Sequence, residues 1–137
     1  MSGPSTIESV ASVVVPITDH DRSIAFYVGT LGFRLRADFS PGPAFRWVEV
    51  APTDAATTIA LAVPRGGMWG TAGGETNINL ACTDVVGEHV RLRNLGVDVD
   101  AEILRVGAEV PPMFRFRDPD RNVLQVVQTA RSRTMTH

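Results

Sequence analysis

The sequence of 137 residues is poor in cysteine, in net positive charge and in long apolar runs. Its single cysteine, Cys82, excludes an internal disulfide and a Cys-rich zinc cluster. With 13 Lys and Arg against 15 Asp and Glu, the net charge of -2 argues against a nucleic-acid-binding surface. No apolar run approaches the ~18 residues that a membrane span requires, and the N-terminal segment lacks the pattern of a signal peptide. We therefore expect a cytoplasmic protein that binds neither nucleic acid nor membrane.

Motifs for catalysis and for cofactor binding are also lacking. The chain contains no Gly-x-Ser-x-Gly motif, no P-loop and no dinucleotide fingerprint, so we expect no cofactor. Its three histidines, His20, His89 and His137, do not form a metal-binding spacing, and we interpret them as solvated surface residues. Cys82 has no histidine near it in the sequence and is interpreted as an inert buried thiol.

The sequence does contain an internal repeat. Residues 13–19 are echoed by residues 78–84, and the two Thr-Asp pairs lie 65 positions apart. The sequence Leu-Gly-Phe at 31–33 is then answered by Leu-Gly-Val at 95–97. Both halves close with an aromatic-rich strand, a turn that contains proline, and an apolar strand. Two copies are too few for a solenoid, so we predict a pseudo-symmetric pair of modules in one domain.

Each half has the pattern strand, helix, strand, strand, strand. Asp19 or Asp21 in the first half and Asp84 in the second are predicted to cap the helix N-termini, because a carboxylate there accepts hydrogen bonds from free amides. Gly32 and Gly96 are predicted to end these helices in the left-handed conformation. The second strands are predicted at 33–37 and 97–104. The apolar stripes predicted for the two helices are Ile24, Tyr27, Val28 and Leu31, and Val85, Val86, Val90 and Leu92.

We predict one domain over residues 9–128. It consists of a module at 9–64 and a module at 76–128, which a glycine-rich linker at 65–75 joins. The linker also contains Met68 and Trp69. Large apolar side chains on such a loop either cover the edge of a core, which the rarity of exposed apolar patches favours, or lie over a ligand.

Two longer motifs resemble a known family. They are Asp-x-Asp-Arg-x-x-x-Phe-Tyr-x-x-x-Leu-Gly-Phe at 19–33 and Phe-Arg-Asp-Pro-Asp-x-Asn at 116–122. Together with the repeat, they resemble the vicinal oxygen chelate superfamily of glyoxalases, bleomycin-resistance proteins and extradiol dioxygenases. The resemblance implies an α+β fold in which two βαβββ modules form a cupped mixed sheet around a small-molecule cleft, commonly in a homodimer. One departure is Arg121, where the turn of the family usually has glycine.

The alternation of side chains along the strands assigns the faces of the predicted sheets. One set packs on the helix and the other lines the cup, and the repeat places Ser12 onto Asn77 and Ala60 onto Gln125. The resemblance implies that these four positions hold the metal ligands in metal-dependent relatives. None of the four is an imidazole or a carboxylate, so we expect no metal here.

The remaining cup residues favour a pocket with a polar floor. Asn77, Asn79 and Gln125 would each cost roughly 1–3 kcal/mol if they were buried without a partner, so they should meet each other, water or a ligand. Whether Trp47 or Arg46 faces the cup stays open, and Arg46 is one of two arginines, with Arg115, that could pair with an anionic ligand. The predicted ligand-binding residues are Ser12, Val14, Trp47, Ala60, Asn77, Asn79, Met113, Phe114 and Gln125.

The sequence therefore favours a glyoxalase- and bleomycin-resistance-like protein that binds a small organic molecule in the cup without a metal, and that is not an enzyme. One alternative is a metal-dependent lyase, isomerase or dioxygenase of the same superfamily, with donors from a partner subunit or from other side chains. A second alternative is a ligand-free scaffold or regulatory module. The expected partners are the small-molecule ligand and a second copy of the chain.

Overall fold

The computed structural model describes residues 3–129 and confirms the α+β fold. The chain divides between Thr71 and Ala72 into two compact units, and this division falls inside the predicted linker. Each unit contains one four-stranded mixed sheet and one helical segment. Among the described residues, no helix is long and apolar enough to cross a membrane.

The first unit has its first and last strands side by side. In chain order its elements are β1 (Ser12–Pro16), α1 (His20–Ile24) with a π-helical continuation (Ala25–Thr30), β2 (Arg34–Gly42), β3 (Phe45–Ala51) and β4 (Thr58–Ala62). The order across the sheet is β1-β4-β3-β2, with β1 parallel to β4 and the other pairs antiparallel. The long crossover from β1 therefore returns to a parallel neighbour, as the βαβββ pattern requires.

The core of the first unit lies on one face of this sheet. Leu61 of β4 is opposite Val15 of β1 and Val48 of β3, and all three side chains are fully buried. The helical segment contributes Tyr27 and Leu31, as predicted, but its third buried residue is Ser23. The stripe has a spacing of four because the segment after Ile24 is π-helical, with more residues per turn than an α-helix.

The second unit repeats the same plan. Its elements are β5 (Gly74–Cys82), α2 (Val85–Asn94), β6 (Asp98–Val99), β7 (Met113–Arg117) and β8 (Asn122–Gln128). Their order across the sheet is β5-β8-β7-β6. The strand predicted at 97–104 is wrong beyond Val99, apart from an isolated bridge between Leu104 and Met113. Between the pairs Val99–Phe116 and Leu104–Met113, the residues 100–103 stand against only Phe114 and Arg115, so the ladder cannot continue in register.

Helix α2 buries a different stripe from the predicted one. Its buried residues are Val85, His89 and Leu92, at i, i+4 and i+7, whereas Val86 and Val90 are each 49% exposed. The prediction failed because it searched for apolar residues, and the central position of the stripe is a histidine. A buried imidazole is tolerated when its ring nitrogen finds a hydrogen-bond partner.

The predicted helix boundaries are confirmed. Asp19 and Asp84 each accept a hydrogen bond from the backbone N–H three residues later, at 3.1 Å and 3.0 Å. Gly32 and Gly96 adopt φ angles of 84° and 82°, the left-handed conformation that a residue with a Cβ reaches only at a steric cost. The repeat therefore extends to the local geometry that starts and ends each helix.

Arg121 occupies a left-handed position in the turn between β7 and β8, with φ of 66°. Replacing it with glycine is expected to stabilise the protein by about 1 kcal/mol, because glycine adopts this conformation without strain. The melting temperature should rise by about 3 °C in a thermal melt. Arg121→Ala is the matched control, since it removes the guanidinium near Asp98 but keeps a Cβ. A melting temperature of Arg121→Gly at or below that of the wild type would contradict the strain.

Candidate functional site

The first sheet has a second face, opposite the one that packs on the helical segment. One row of this face crosses all four strands, because Val14 is opposite Ala60, Ala60 is opposite Glu49, and Glu49 is opposite Ala37. In the neighbouring row, Phe39 is opposite Trp47. We call this face the open face of the first sheet; it consists of Ser12, Val14, Ala37, Phe39, Phe45, Trp47, Glu49, Thr58 and Ala60.

Three aromatic rings gather on the open face, and we call Phe45, Trp47 and Trp69 the aromatic cluster. The ring centroids of each pair are 6.0 to 6.1 Å apart, and the rings of Phe45 and Trp69 are stacked with only 18° between their planes. Trp47 therefore points to the open face, which answers the question that the sequence left open. Phe39, which is 54% exposed, lies opposite Trp47 on the edge strand.

Trp69 reaches this cluster from the linker. Gly66 and Gly67, both with positive φ, form a tight turn that brings Arg65 opposite Met68. Trp69 itself has φ of 70°, a conformation that costs a residue with a side chain roughly 1–2 kcal/mol. Strain of this kind is typical of ligand clamps and other functional segments. Of the two large linker residues, Trp69 lies on the aromatic cluster, whereas Met68 is exposed.

Glu49 is a carboxylate on the open face that the sequence analysis missed. Its Oε1 accepts a hydrogen bond from the Thr58 hydroxyl, and its Oε2 accepts one from the Trp47 indole N–H, both at 2.6 Å. The hydrogen bond from Thr58, followed by that from Trp47, holds the pKa of Glu49 below its usual range. The alternation of β3 contained the signal, because Trp47 and Glu49 alternate with the buried Val48 and Val50.

Arg46 lies on the other face of the same strand and is already paired. Its guanidinium contacts a carboxylate oxygen of Asp21 and both oxygens of Asp38, each at 2.9 Å. Of the two arginines that could pair with an anionic ligand, Arg46 is thus already engaged with two carboxylates of the protein. His20 is half-buried beside this group rather than solvated, and its Nε2 has no hydrogen-bond partner. Burial, and then the charge of Arg46, lower the pKa of His20.

The second sheet also has a face that carries polar residues, and its two central amides bind each other. Asn79 is opposite Gln125 in the parallel pair, and the Gln125 amide donates to Asn79 Oδ1 at 2.7 Å. Arg115 is opposite Gln125 on the next strand, so it shares this face, and Met113 lies two residues before it. Of the partners that we expected for these amides, namely each other, water or a ligand, the structure shows the first.

Asn77 departs from the repeat. Ser12 is opposite Thr58 in the first sheet, but the equivalent Asn77 falls within a bulge between Glu75 and Asn79 and has no partner in the ladder. Its φ is 61°, a left-handed conformation that asparagine tolerates better than most residues. The equivalence of Ser12 and Asn77 thus holds in sequence and not in strand register.

Phe114 and His89 must be reassigned. Phe114 is 1% exposed and packs edge-to-face on His89, with ring centroids 4.9 Å apart. Phe114 is therefore a core residue and not a wall of a ligand site. Met113, its neighbour in the sequence, lies on the opposite face of β7. His89 is buried rather than solvated, and its Nε2 lies 2.7 Å from the carbonyl oxygen of Asp100. The position of His137 lies outside the described residues.

The four positions equivalent to family metal ligands do not offer a suitable donor set. Ala60 has no donor atom and is fully buried, and Gln125 is engaged with Asn79. Glu49 is near Ala60, but its carboxylate oxygens accept hydrogen bonds from Thr58 and Trp47. Within residues 3–129, no three His, Cys, Asp or Glu side chains come together in a group that could hold a metal ion. The residues present therefore do not fit a divalent metal.

The two βαβββ units place the protein in the vicinal oxygen chelate class. The chain belongs to the Glyoxalase/Bleomycin resistance protein/Dioxygenase superfamily, whose model matches residues 9–126. It is 29% identical over 117 residues to the protein YetH of Bacillus subtilis (strain 168), which covers 85% of this chain and 95% of YetH.

Solved structures give the same result. TnmS3, an antibiotic binding protein from Streptomyces sp. CB03234, is 32% identical, with a TM-score of 0.79 over 93% of this chain and 100% of that chain. A member of the same superfamily from Sphaerobacter thermophilus DSM 20745 is 29% identical, with a TM-score of 0.83 over 91% of this chain and 100% of that one. The resemblance drawn from the sequence motifs is therefore confirmed.

Proposed function

We propose that the protein binds a small organic molecule with a planar aromatic group on the open face of the first sheet. The observation that carries this proposal is the aromatic cluster, three rings about 6 Å apart with the exposed Phe39 beside them. Flat aromatic ligands gain roughly 0.5–1.5 kcal/mol per ring contact beyond the area that they bury. The three rings are only partly buried and Phe39 beside them is exposed, which also favours a binding role.

The similarity to TnmS3 supports an antibiotic-like ligand, since that neighbour is an antibiotic binding protein at 32% identity. Sequestration of such a molecule requires a shaped surface and no reacting group. The similarity thus supports antibiotics as the class of ligand to test first.

The proposal is for binding without a metal and without catalysis. Glu49 is the carboxylate nearest to the aromatic cluster, and its lowered pKa makes it a weak general base at neutral pH. The metal-dependent lyase, isomerase or dioxygenase would need ligands other than the side chains at the four family positions. We therefore propose a binding protein rather than an enzyme.

Tryptophan fluorescence tests the proposal directly. The chain has two tryptophans, Trp47 and Trp69, and both belong to the aromatic cluster, so the emission of tryptophan reports on this face. Titration with a panel of planar aromatic antibiotics and aromatic metabolites is expected to give a saturable change in emission and a higher melting temperature for at least one class. If no compound changes either signal, the scaffold or regulatory alternative replaces the proposal.

Two further parts of the proposal come from the sequence and from the family resemblance, namely a homodimer and a cytoplasmic location. The dimer is expected to appear in sedimentation equilibrium as twice the chain mass of 14.8 kDa. A monomer at micromolar concentration would contradict the dimer and would leave the binding proposal intact, because every residue of the aromatic cluster belongs to one chain.

A further inference from the structure

We propose that Glu49 makes the open face selective for planar ligands that carry a cationic amine. The inference rests on the proposed function, because it names the chemical class that the same face would take. Three observations support it: the position of the carboxylate, the absence of a cation paired with it, and its distance from the nearest positive group on the aromatic cluster.

Glu49 is half-buried and lies beside the aromatic rings of the open face. Its cross-strand neighbours on the open face are Ala37 and Ala60, the smallest side chains that contain a Cβ. The aromatic row of Phe39 and Trp47 lies directly beside it. Because Ala60 is fully buried and Phe39 is exposed, a flat ligand on the aromatic row would bring its substituent to the carboxylate from the side of Ala37 and Phe39.

The carboxylate is charged and has no cation as a direct partner. Its hydrogen bonds come from a hydroxyl and an indole, both neutral donors. Each carboxylate oxygen can accept a second hydrogen bond. Among the described residues, no Lys, Arg or His forms an ion pair with Glu49, and the nearby Arg36 donates instead to the carbonyl oxygen of Ala55 at 2.8 Å. A half-buried carboxylate held between neutral donors is complementary to a protonated amine.

In the described part of the chain, the guanidinium that contacts the aromatic cluster lies at the far end of the cluster. Arg65 is 4.9 Å from the centroid of the Phe45 ring. Phe45 is four residues from Glu49 along β3, which corresponds to about 13 Å, more than a Debye length at physiological salt. The contact of Arg65 also shows that this aromatic surface accommodates a cation over a ring. Next to Glu49 the face thus combines a carboxylate with aromatic rings; the charge of Arg36 also acts on this carboxylate, but its guanidinium donates to Ala55.

Three probes of the same shape and different charge test the inference. They are 9-(aminomethyl)anthracene in its ammonium form, the neutral 9-hydroxymethylanthracene and the anionic anthracene-9-carboxylate, titrated by calorimetry into the whole chain. We expect the wild type to bind the cation about tenfold more tightly than the neutral probe, and the anion more weakly still. In Glu49→Gln, the affinity for the cation should fall about tenfold, and that for the neutral probe should stay within about twofold.

Glu102→Gln is the matched control, because it removes an exposed carboxylate of the second unit and changes the net charge equally. It should retain the preference for the cation. Unchanged binding of the neutral probe by Glu49→Gln verifies that the face is still folded. If all three probes bind the wild type with equal affinity, or if Glu49→Gln keeps the preference, the inference is wrong and the proposed function survives. If none of the probes binds the wild type, the inference is wrong, and the titration with the antibiotic and metabolite panel decides the proposed function separately.

Discussion

Replacing Trp47 with alanine is expected to weaken ligand binding by at least about 30-fold, the loss of some 2 kcal/mol that is typical of a central aromatic contact. The indole is the one member of the aromatic cluster that also contacts Glu49. Its ring lies tilted against those of Phe45 and Trp69, with centroids 6.1 and 6.0 Å away, and its N–H donates a hydrogen bond to the carboxylate at 2.6 Å. The substitution thus removes a stacking surface and a donor together. Calorimetric titration with the best ligand of the fluorescence panel measures the loss.

Two variants separate the contributions of Trp47. Trp47→Phe keeps a ring and removes the N–H group, so its loss should be smaller, about threefold. Phe26→Leu changes an aromatic residue of the helical segment, which packs edge-to-face on Tyr27 on the other side of the sheet. It should leave the affinity unchanged. An affinity of Trp47→Ala within twofold of the wild type, in a protein that still melts cooperatively, would refute the placement of the site.

Replacing Asp118 with alanine is expected to lower the free energy of unfolding by about 3 kcal/mol. Asp118 is 4% exposed and organises the turn between β7 and β8. Its Oδ1 accepts from the backbone N–H groups of Asp120 and Asn122, each at 2.9 Å, and its Oδ2 accepts from the Asn122 side chain at 3.0 Å. Alanine would leave these donors without their acceptor in a buried site. Urea denaturation monitored by circular dichroism measures the loss.

The hydrogen-bond network around Asp118 extends to Gly73, just before β5. The Oδ1 of Asn122, which is itself buried, accepts from the backbone N–H of Gly73 at 2.8 Å, so loss of Asp118 also loosens the side chain that ties Gly73 to the turn. Asp118→Asn keeps one acceptor and should lose about half as much stability. Glu102→Ala, at an exposed position, should change stability by less than about 0.5 kcal/mol. A loss below 1 kcal/mol in Asp118→Ala would show that the turn does not depend on this carboxylate.

The parts of the fold that follow local rules could be predicted from the sequence. The side chains of a strand alternate between its two faces, so once the core face is known the other face is known too. This alternation assigned Val14 and Asn79 to the faces away from the cores. Asp19 and Gly32 marked the ends of the first helix because caps and left-handed glycines act over three or four residues. The repeat then transferred both conclusions to the second unit.

The rest depended on contacts that the sequence does not show. The sequence analysis assigned both Met113 and Phe114 to the ligand site, although neighbours on a strand face opposite sides, and the register with β8 and the contact with His89 place Phe114 on the helix side. His89 can be buried because the carbonyl oxygen of Asp100, which the sequence pattern does not place beside it, accepts a hydrogen bond from its ring Nε2. The bulge at Asn77 breaks a repeat that is regular in sequence.

Glu49 shows the same limitation in the candidate site. The alternation with Val48 and Val50 could have placed its carboxylate beside Trp47, but the sequence analysis searched for ligands only at the positions of the family metal site. The two donors that hold the carboxylate come from different directions, since Trp47 is on the same strand and Thr58 is on the next. The charge and the aromatic rings are thus brought together by the sheet.

The central claim is that the open face binds its ligand without a metal. It is tested most directly by one fluorescence titration, performed on protein purified without chelator and repeated after treatment with a chelator and dialysis, with the metal content measured in both samples. We predict the same dissociation constant in both samples and far less than one equivalent of Zn, Ni, Fe or Mn. One equivalent of any of these metals, whose removal abolishes binding, would contradict the claim.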